Sequence, residues 1–349
     1  SAGRARSGIL ESMRMPTMSH RLFATVAALV AAAALALSCN EAAGPEPTDI
    51  EPAALGITEA EMLGWIARIS DDSTRGRDTP SFELDRAAGA IAAHFQELGL
   101  QPYFGTSYLQ RFPWGGGTGP NVAAVLPGRD EDRSGEYVVF VAHLDGKGIT
   151  ISPQDGDSIL NGADDNASGV AAVLEVAQAF LAVGTAPRRS VIFLLVSGEE
   201  HGMVGSRYFV AQDLARLFRF AGALDFDMIG RNTPDSLFVG GLTASTMGDA
   251  VQTALVEHPS LGFQLRDIRS GGSDHVAFWE RGVPFLMFHS GLHADYHKVT
   301  DEVARVDAAK ATRAARLGFY AGWAVADALA RPSWKPGWPA PPIGAALAR

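Results

Sequence analysis

The chain has 349 residues, 47% of them hydrophobic, and a formal net charge of -10. A chain of this length and composition can bury a large core, and the part beyond its N-terminal segment fits one large domain better than two. The acidic balance, with no clustered run of Lys and Arg, excludes a nucleic-acid-binding surface and favours a small-molecule or peptide substrate.

The N-terminal segment has the order of charged and apolar residues found in secretory signals. Arg14 and Arg21 precede an apolar stretch, 22–37, which is short for a transmembrane helix. We therefore expect export to the periplasm or the cell surface. The only cysteine, Cys39, follows residues 35–38 in a pattern that resembles a lipoprotein cleavage site, which predicts a lipid anchor at Cys39. The alternative is ordinary signal cleavage, which releases a soluble product.

The composition divides the chain into four segments. We expect an upstream extension and leader at 1–39, a tether at 40–54, a folded body at 55–331 and a Pro-rich tail at 332–349. Because a single cysteine cannot form an internal disulfide, the body depends on its core and on any bound metal.

Short apolar or β-branched runs alternate with amphipathic helical patterns through the body. In chain order, strands are predicted around Phe112 and at 121–126, 137–142, 190–196, 222–226, 236–239 and 283–288. Helices are predicted at 57–70, 82–98, 169–181, 203–220, 244–258, 274–281 and 306–329. This alternation indicates a single α/β domain, with a mostly parallel central sheet flanked by helices on both faces.

Polar side chains follow three of the predicted strands. His143, Glu199 and Asp227 stand shortly after the runs at 137–142, 190–196 and 222–226. Because the carboxyl ends of parallel strands meet at one edge of a sheet, we expect these side chains to lie close together.

The residue types in these positions suit a pair of metal ions. Zinc binds His nitrogen and carboxylate oxygen, and paired ions in such sites lie roughly 3.5 to 4 Å apart. We expect His143 and Asp227 to hold one ion, Glu200 and His297 to hold the other, and Asp165 to lie between them. The sequence therefore predicts two Zn²⁺ per chain.

Two further acids are assigned other roles. Asp145, two residues after His143, is spaced to orient the imidazole through its second nitrogen. Glu199, beside a predicted ligand, is placed to take a proton from the attacking water and pass it to a leaving amine. A single His or Asp after a strand is more often a turn or capping residue, so these predictions depend on the joint pattern.

Five motifs stand in a fixed order along the chain. They are His143-Leu-Asp145, Asn161-Gly-Ala-Asp-Asp165-Asn-Ala-Ser-Gly169, Ser197-Gly-Glu-Glu200-His-Gly-Met-Val-Gly205, Asp225-Phe-Asp227-Met-Ile-Gly230 and Tyr296-His297-Lys-Val-Thr-Asp301. Together, over about residues 55–330, they resemble the two-zinc exopeptidases of the aminopeptidase S and aminopeptidase Y kind.

This resemblance implies an aminopeptidase that removes single residues from peptides with a free N-terminus. It implies the same five ligands, with Asp165 as the bridge between two zinc ions and Glu199 as the catalytic acid and base. It also implies that Tyr296 hydrogen-bonds the oxyanion of the tetrahedral intermediate. Met228 and Phe278 are expected to line the pocket for the substrate side chain.

The chain departs from the family pattern in two places. Leu144 stands where an aromatic residue is more usual, and no protease-associated insert separates His143 from Asp165. Three alternatives stay open: a single-zinc enzyme that cyclises N-terminal glutamine, a dipeptidase or carboxypeptidase-like relative, and a non-catalytic binding domain on the same scaffold. The complete ligand set favours the two-zinc enzyme over the first and the last of these.

Overall fold

The computed structural model describes residues 48–212, 219–268 and 272–338. The predicted leader at 1–39, including Cys39, lies outside the described residues. The described residues from Asp49 onward form one unit by their internal contacts. Within the described ranges, no helix has the length and apolar character that crossing a membrane requires.

Nine of the described strands form one large sheet and two form a separate hairpin. The strands are β1 (Gln101–Pro102), β2 (Leu109–Trp114), β3 (Gly117–Leu126), β4 (Tyr137–His143), β5 (Ile149–Gln154), β6 (Asp157–Ile159), β7 (Ser190–Val196), β8 (Phe220–Phe226), β9 (Ser236–Gly240), β10 (Gln264–Ile268) and β11 (Phe285–His289). The large sheet has the order β1-β3-β7-β4-β8-β11-β9-β10, with β2 paired to β3, while β5 pairs with β6.

The centre of the sheet is parallel and its flanks are antiparallel. Strands β7, β4, β8 and β11 run parallel to one another, whereas β3 and β9 pair antiparallel with this central group. The central strands are near-continuous apolar runs because both of their faces are buried. The predicted α/β domain is confirmed, with a sheet that is mixed at its edges.

Helices cover the sheet, and three of their first turns are capped by side chains. The helices are α1 (Glu51–Gly56), α2 (Glu59–Ile69), α3 (Phe82–Glu97), α4 (Gly169–Ala182), α5 (Val204–Gln212), α6 (Met247–Glu257), α7 (His275–Trp279) and α8 (Ala308–Asp327). Thr58, Ser81 and Asp307 accept backbone N–H bonds at the starts of α2, α3 and α8. Such caps satisfy donors that the first helical turn leaves unpaired.

Alternate residues of β4 face two separate apolar clusters, one on each side of the sheet. Val138, Phe140 and Ala142 pack in the cluster that includes α4 and α8, whereas Val139 and Val141 pack in the cluster that includes α5 and α7. This two-residue period is what a strand imposes on its side chains. The helices therefore flank both faces, as predicted.

Several elements differ from the prediction. The helix predicted at 203–220 is Val204–Gln212 in its described part, and Phe220 instead begins β8 because it pairs with Tyr137 of β4. Residues 213–218 lie outside the described residues. Helix α1 begins within the predicted tether, where Ala53 and Ala54 are buried against the body.

The prediction missed the short or exposed strands β1, β5, β6 and β10. The β5 strand has no buried residue, so it lacks the apolar pattern by which a strand is recognised in sequence.

The order of the central strands gives the fold a position for a binding site. Strand β4 lies between β7 and β8. After β4 the chain forms β7 on one side of it and then β8 on the other side. In open α/β sheets, ligands bind beyond the carboxyl ends of the strands at such a switch point. His143, the last residue of β4, stands at this point.

We predict that Phe140→Ala destabilises the protein by about 3 to 5 kcal/mol, because the change leaves a cavity in the core. The Phe140 ring contacts Phe180, Phe193 and Phe226 with centroid separations of 5.4, 5.9 and 6.4 Å. The free energy of unfolding in urea is the measurement. Ile151→Ala, at a side chain that is 99% exposed, is the control and should change it by less than about 0.5 kcal/mol. Equal stabilities for the two variants would contradict this account of the core.

Candidate metal centre

Three neighbouring strands carry the predicted site residues at their carboxyl ends. His143 ends β4, Asp227 follows β8 directly, and Glu199 and Glu200 follow β7 after a turn at Gly198. Gly198 has a φ of +75°, a left-handed conformation that glycine adopts readily. This turn places both glutamates at the edge of the sheet where His143 and Asp227 lie.

Two other predicted ligands come from connecting segments. Asp165 precedes α4, and His297 lies in the segment that follows β11. His297 has a φ of +55°. A residue with a side chain is uncommon in this region, and such conformations cluster at functional sites.

The five predicted ligands form two groups that share Asp165. His143, Asp165 and Asp227 offer one ligand atom each within 4.8 Å of one another, and so do Asp165, Glu200 and His297. Asp165 Oδ1 lies 3.4 Å from His143 Nε2, and Asp165 Oδ2 lies 3.1 Å from His297 Nε2. Each oxygen of one carboxylate therefore faces a different group.

The hydrogen bonding of these side chains fits a bound cation. Four of their buried atoms make no hydrogen bond of good geometry among the described residues, even where another side chain of the site lies nearby: His143 Nε2, Asp165 Oδ2, Glu200 Oε1 and Asp227 Oδ1. Buried polar atoms rarely lack a partner in proteins. Because imidazole nitrogen and carboxylate oxygen are zinc ligands, the orphaned atoms fit the expected metal.

Asp145 orients His143 through its backbone rather than its carboxylate. His143 Nδ1 donates to the carbonyl oxygen of Asp145 at 3.2 Å, and the nearer carboxylate oxygen is 3.7 Å away. That carboxylate instead accepts the backbone N–H of Glu199 at 3.3 Å. A donating Nδ1 leaves Nε2 free to bind a metal, so Asp145 contacts both a ligand and the predicted proton carrier.

The charges of the two groups are strongly coupled. Burial acts against protonation of His297, but its contacts with Asp165 and Glu200 raise its pKa to about 9. The same kind of contact, with Asp145, Asp165 and Asp227, overcomes burial and raises the pKa of His143 well above its usual value. In the absence of metal, protons on these imidazoles offset the carboxylate charge, and a metal ion competes with them.

Glu199 lies in a strongly acidic surrounding. Burial, followed by the charges of Asp227, Asp274 and Asp145, raises the pKa of Glu199 to about 10, although His143 acts in the other direction. Divalent cations held by the neighbouring carboxylates would lower it again. The ionisation of Glu199 is therefore linked to metal binding.

Hydrogen bonds made by Asp301 and Asp164 hold the turn that carries Asp165. Asp301 accepts the backbone N–H groups of Asp164 and Asp165, at 3.1 and 3.0 Å. Asp164 accepts the N–H of Gly230 at 2.7 Å, and its other oxygen lies 3.4 Å from His293 Nε2. Asp301 stood in the last sequence motif without a role, and the geometry gives it one in positioning Asp165.

Lys147 and His289 also reach the site, although neither was among the predicted site residues. Lys147 Nζ lies 3.3 Å from Glu200 Oε2, and His289 Nδ1 donates to the carbonyl oxygen of Asp227 at 2.6 Å. Lys147 follows Asp145 by two residues, and this proximity to the first motif could have marked Lys147 as a site residue in the sequence.

The remaining predicted residues are divided between the site and the core. The Tyr296 ring stacks on His297 with a centroid separation of 3.7 Å. Met228 directly follows Asp227 and is buried, and its pocket role stays a prediction. The pocket assignment of Phe278 is wrong, because this side chain is fully buried among Phe209 and Phe220 in the core.

We predict that Asp165→Asn reduces the bound zinc to half of the wild-type content or less, because both ligand groups use this carboxylate. Elemental analysis of the purified variant measures this. Asp155→Asn makes the same change in charge at an exposed turn of the β5–β6 hairpin and should retain the wild-type content. A wild-type zinc content in Asp165→Asn would exclude the bridging role.

The chain is similar to known proteins both in sequence and in fold. Leupeptin-inactivating enzyme 1 of Streptomyces exfoliatus is 30% identical over 302 residues, which are 83% of this chain and 62% of that protein. The chain thus spans less than two thirds of this relative. The crystal structure of the LapA aminopeptidase of Legionella pneumophila matches with a TM-score of 0.66 at 19% identity, over 80% of this chain and 74% of that one.

A glutaminyl cyclase of Fimbriiglobus ruber has the same fold, with a TM-score of 0.63 at 16% identity over 76% of this chain and 95% of that one. Likeness at this level of identity shows the fold and does not separate the activities. The family model described as peptidase family M28 matches residues 121–321, which include all five predicted ligand positions. The chain belongs to peptidase family M28.

Proposed function

We propose that this chain is a zinc-dependent aminopeptidase that hydrolyses the N-terminal bond of peptides, with two Zn²⁺ per chain. The observation that carries this proposal is the position of Asp165, whose Oδ1 faces His143 and whose Oδ2 faces His297. A carboxylate shared in this way suits two ions that act on one substrate. Membership of a peptidase family supports the reaction class.

The five predicted ligands would hold two zinc ions, one in each of the two groups. His143 and Asp227 would hold one ion, Glu200 and His297 would hold the other, and Asp165 would contribute to both. When bound, the two zinc ions polarise the scissile carbonyl and make the attacking water more acidic.

Glu199 moves the proton in this reaction. As the water oxygen attacks the carbonyl carbon, the Glu199 carboxylate takes a proton from the water. When the C–N bond breaks, Glu199 gives this proton to the departing nitrogen. The backbone N–H of Glu199 is held by Asp145, which also orients His143. One residue thus fixes the proton carrier relative to a ligand.

Tyr296 is suited to donate a hydrogen bond to the oxyanion. Burial, followed by the charges of Asp165 and Glu200, raises the pKa of the Tyr296 hydroxyl above its usual value. The hydroxyl therefore keeps its proton at neutral pH, and stacking on His297 places the ring beside the site. A neutral donor there can stabilise charge that develops on the carbonyl oxygen.

We predict that the purified protein contains about two zinc ions per chain and releases p-nitroaniline from leucine p-nitroanilide. Chelation should abolish this release and added zinc should restore it. One zinc per chain, no release, and conversion of an N-terminal glutaminyl peptide would favour the cyclase instead. Zinc binding without turnover of either substrate would favour a binding domain.

Glu199→Gln should keep the wild-type zinc content and reduce kcat by at least about 100-fold, because it removes the proton carrier without removing a ligand. Steady-state hydrolysis measures kcat, and elemental analysis of the same sample measures the zinc content. The control is Glu257→Gln at an exposed helix end, for which kcat should be unchanged. A Glu199→Gln enzyme with nearly wild-type kcat would remove Glu199 from the mechanism.

Export and lipid anchoring belong to the same proposal. The charged and apolar order before Cys39 supports a secretory leader, and the residues around Cys39 support lipid attachment there. We predict that Cys39→Ser moves the protein from the membrane fraction to the soluble fraction of the producing cells. Membrane association that survives the substitution would rule out an anchor at Cys39.

A further inference from the structure

Arg77 is a fully buried arginine in the segment between α2 and α3. Its guanidinium donates to the carbonyl oxygens of Ile69, Leu144 and Asn161, at 2.7, 2.9 and 2.9 Å, and reaches that of Gly162 at 3.4 Å. These four acceptors are neutral backbone atoms. A buried charge is expensive to maintain on neutral partners alone, so its presence calls for an explanation.

Three of these four acceptors belong to the two loops that carry predicted ligands, and the fourth, Ile69, ends α2. Leu144 lies between His143 and Asp145, and residues 161–162 lead directly into the turn with Asp165. A single side chain therefore connects the loop of one ligand to the loop of the bridging ligand.

Backbone contacts reinforce this connection. Gly146 donates its N–H to the carbonyl oxygen of Arg77 at 3.2 Å, and Gly148 donates to that of Gly76 at 3.0 Å. Gly76 has a φ of +68°, and a Cβ there would lie 2.3 Å from the carbonyl oxygen of Gly148. The segment is thus pressed against the loop beyond His143 at a distance that excludes a side chain.

The charge of Arg77 also acts on the acidic site. Burial lowers the pKa of Arg77 to about 10, and Asp145, Asp165, Asp301 and Glu200 act in the opposite direction. Arg77 therefore remains a cation at neutral pH. Its positive charge attracts these carboxylates, which include two of the predicted metal ligands.

We propose that Arg77 is a positioning residue for the metal pair, which fixes the Asp165 turn relative to His143 and supplies an internal positive charge behind the carboxylates. This inference rests on the proposed two-zinc function. The planar guanidinium can donate in several directions at once, whereas the ammonium of lysine is a compact charge on a flexible stem. The position therefore requires arginine rather than any cation.

The test compares two buried arginines. Arg189 is also buried, and it donates to the carbonyl oxygens of Val325 and Ala328 and to Glu136. It precedes β7 and so lies at the amino ends of the parallel strands, away from the ligands. Arg77→Lys and Arg189→Lys thus make the same substitution in similar burial at opposite edges of the sheet.

Zinc affinity is measured by competition with a chromophoric chelator, at a temperature where circular dichroism shows both variants folded. We expect Arg77→Lys to weaken zinc binding by about 10- to 100-fold, as loss of a residue that supports a ligand does, and Arg189→Lys to keep wild-type affinity. Equal affinities in wild type and Arg77→Lys would overturn the proposal, and so would equal weakening in both variants. A wild-type protein without zinc would instead refute the proposed function.

A second measurement applies if Arg77→Lys does not fold. Arg77→Ala is then refolded with methylguanidinium, which can enter the vacated space and restore the planar cation. Zinc affinity should rise with the concentration of this cation in Arg77→Ala and stay constant in Arg189→Ala. An affinity in Arg77→Ala that does not respond to methylguanidinium would overturn the proposal.

Discussion

Repulsion among buried carboxylates is the constraint on which the rest of this structure depends. Asp165, Glu200 and Asp227 lie within two overlapping groups at one edge of the sheet, and Asp145 and Asp301 lie close behind them. Like charges at such distances cannot all ionise without positive charge nearby. Protonated imidazoles, Lys147 and Arg77 supply part of that charge, and the orphaned atoms fit a metal ion as the remaining partner.

The sheet holds these charged side chains close together. His143, Glu200 and Asp227 are attached to three adjacent parallel strands whose side chains pack against helices on both faces. Moving any of them apart would require shifting a strand within a close-packed core. The rigid part of the site is therefore built by the sheet, and the loops with Asp165 and His297 complete it.

Much of the fold and of the site could be predicted from sequence, for physical reasons that also show where prediction stops. Buried parallel strands leave apolar runs, so β4, β7 and β8 and the polar groups beyond them were recognisable. Asp165 and His297 lie on loops, and only the joint pattern of motifs marked them. Phe278 was expected in a pocket from the resemblance alone, which does not reveal which cluster a side chain faces. Arg77 left no signal, since its acceptors are backbone carbonyls that are distant in sequence.

The two ligand groups differ in their access to solvent. The His143 side chain is 1% exposed at the end of a central strand, whereas His297 is 30% exposed on a connecting segment. The group with His143 is thus the inner of the two ligand groups, and the group with His297 is the outer one. His297 is therefore the predicted ligand that an ion or a chelator arriving from solution would meet first.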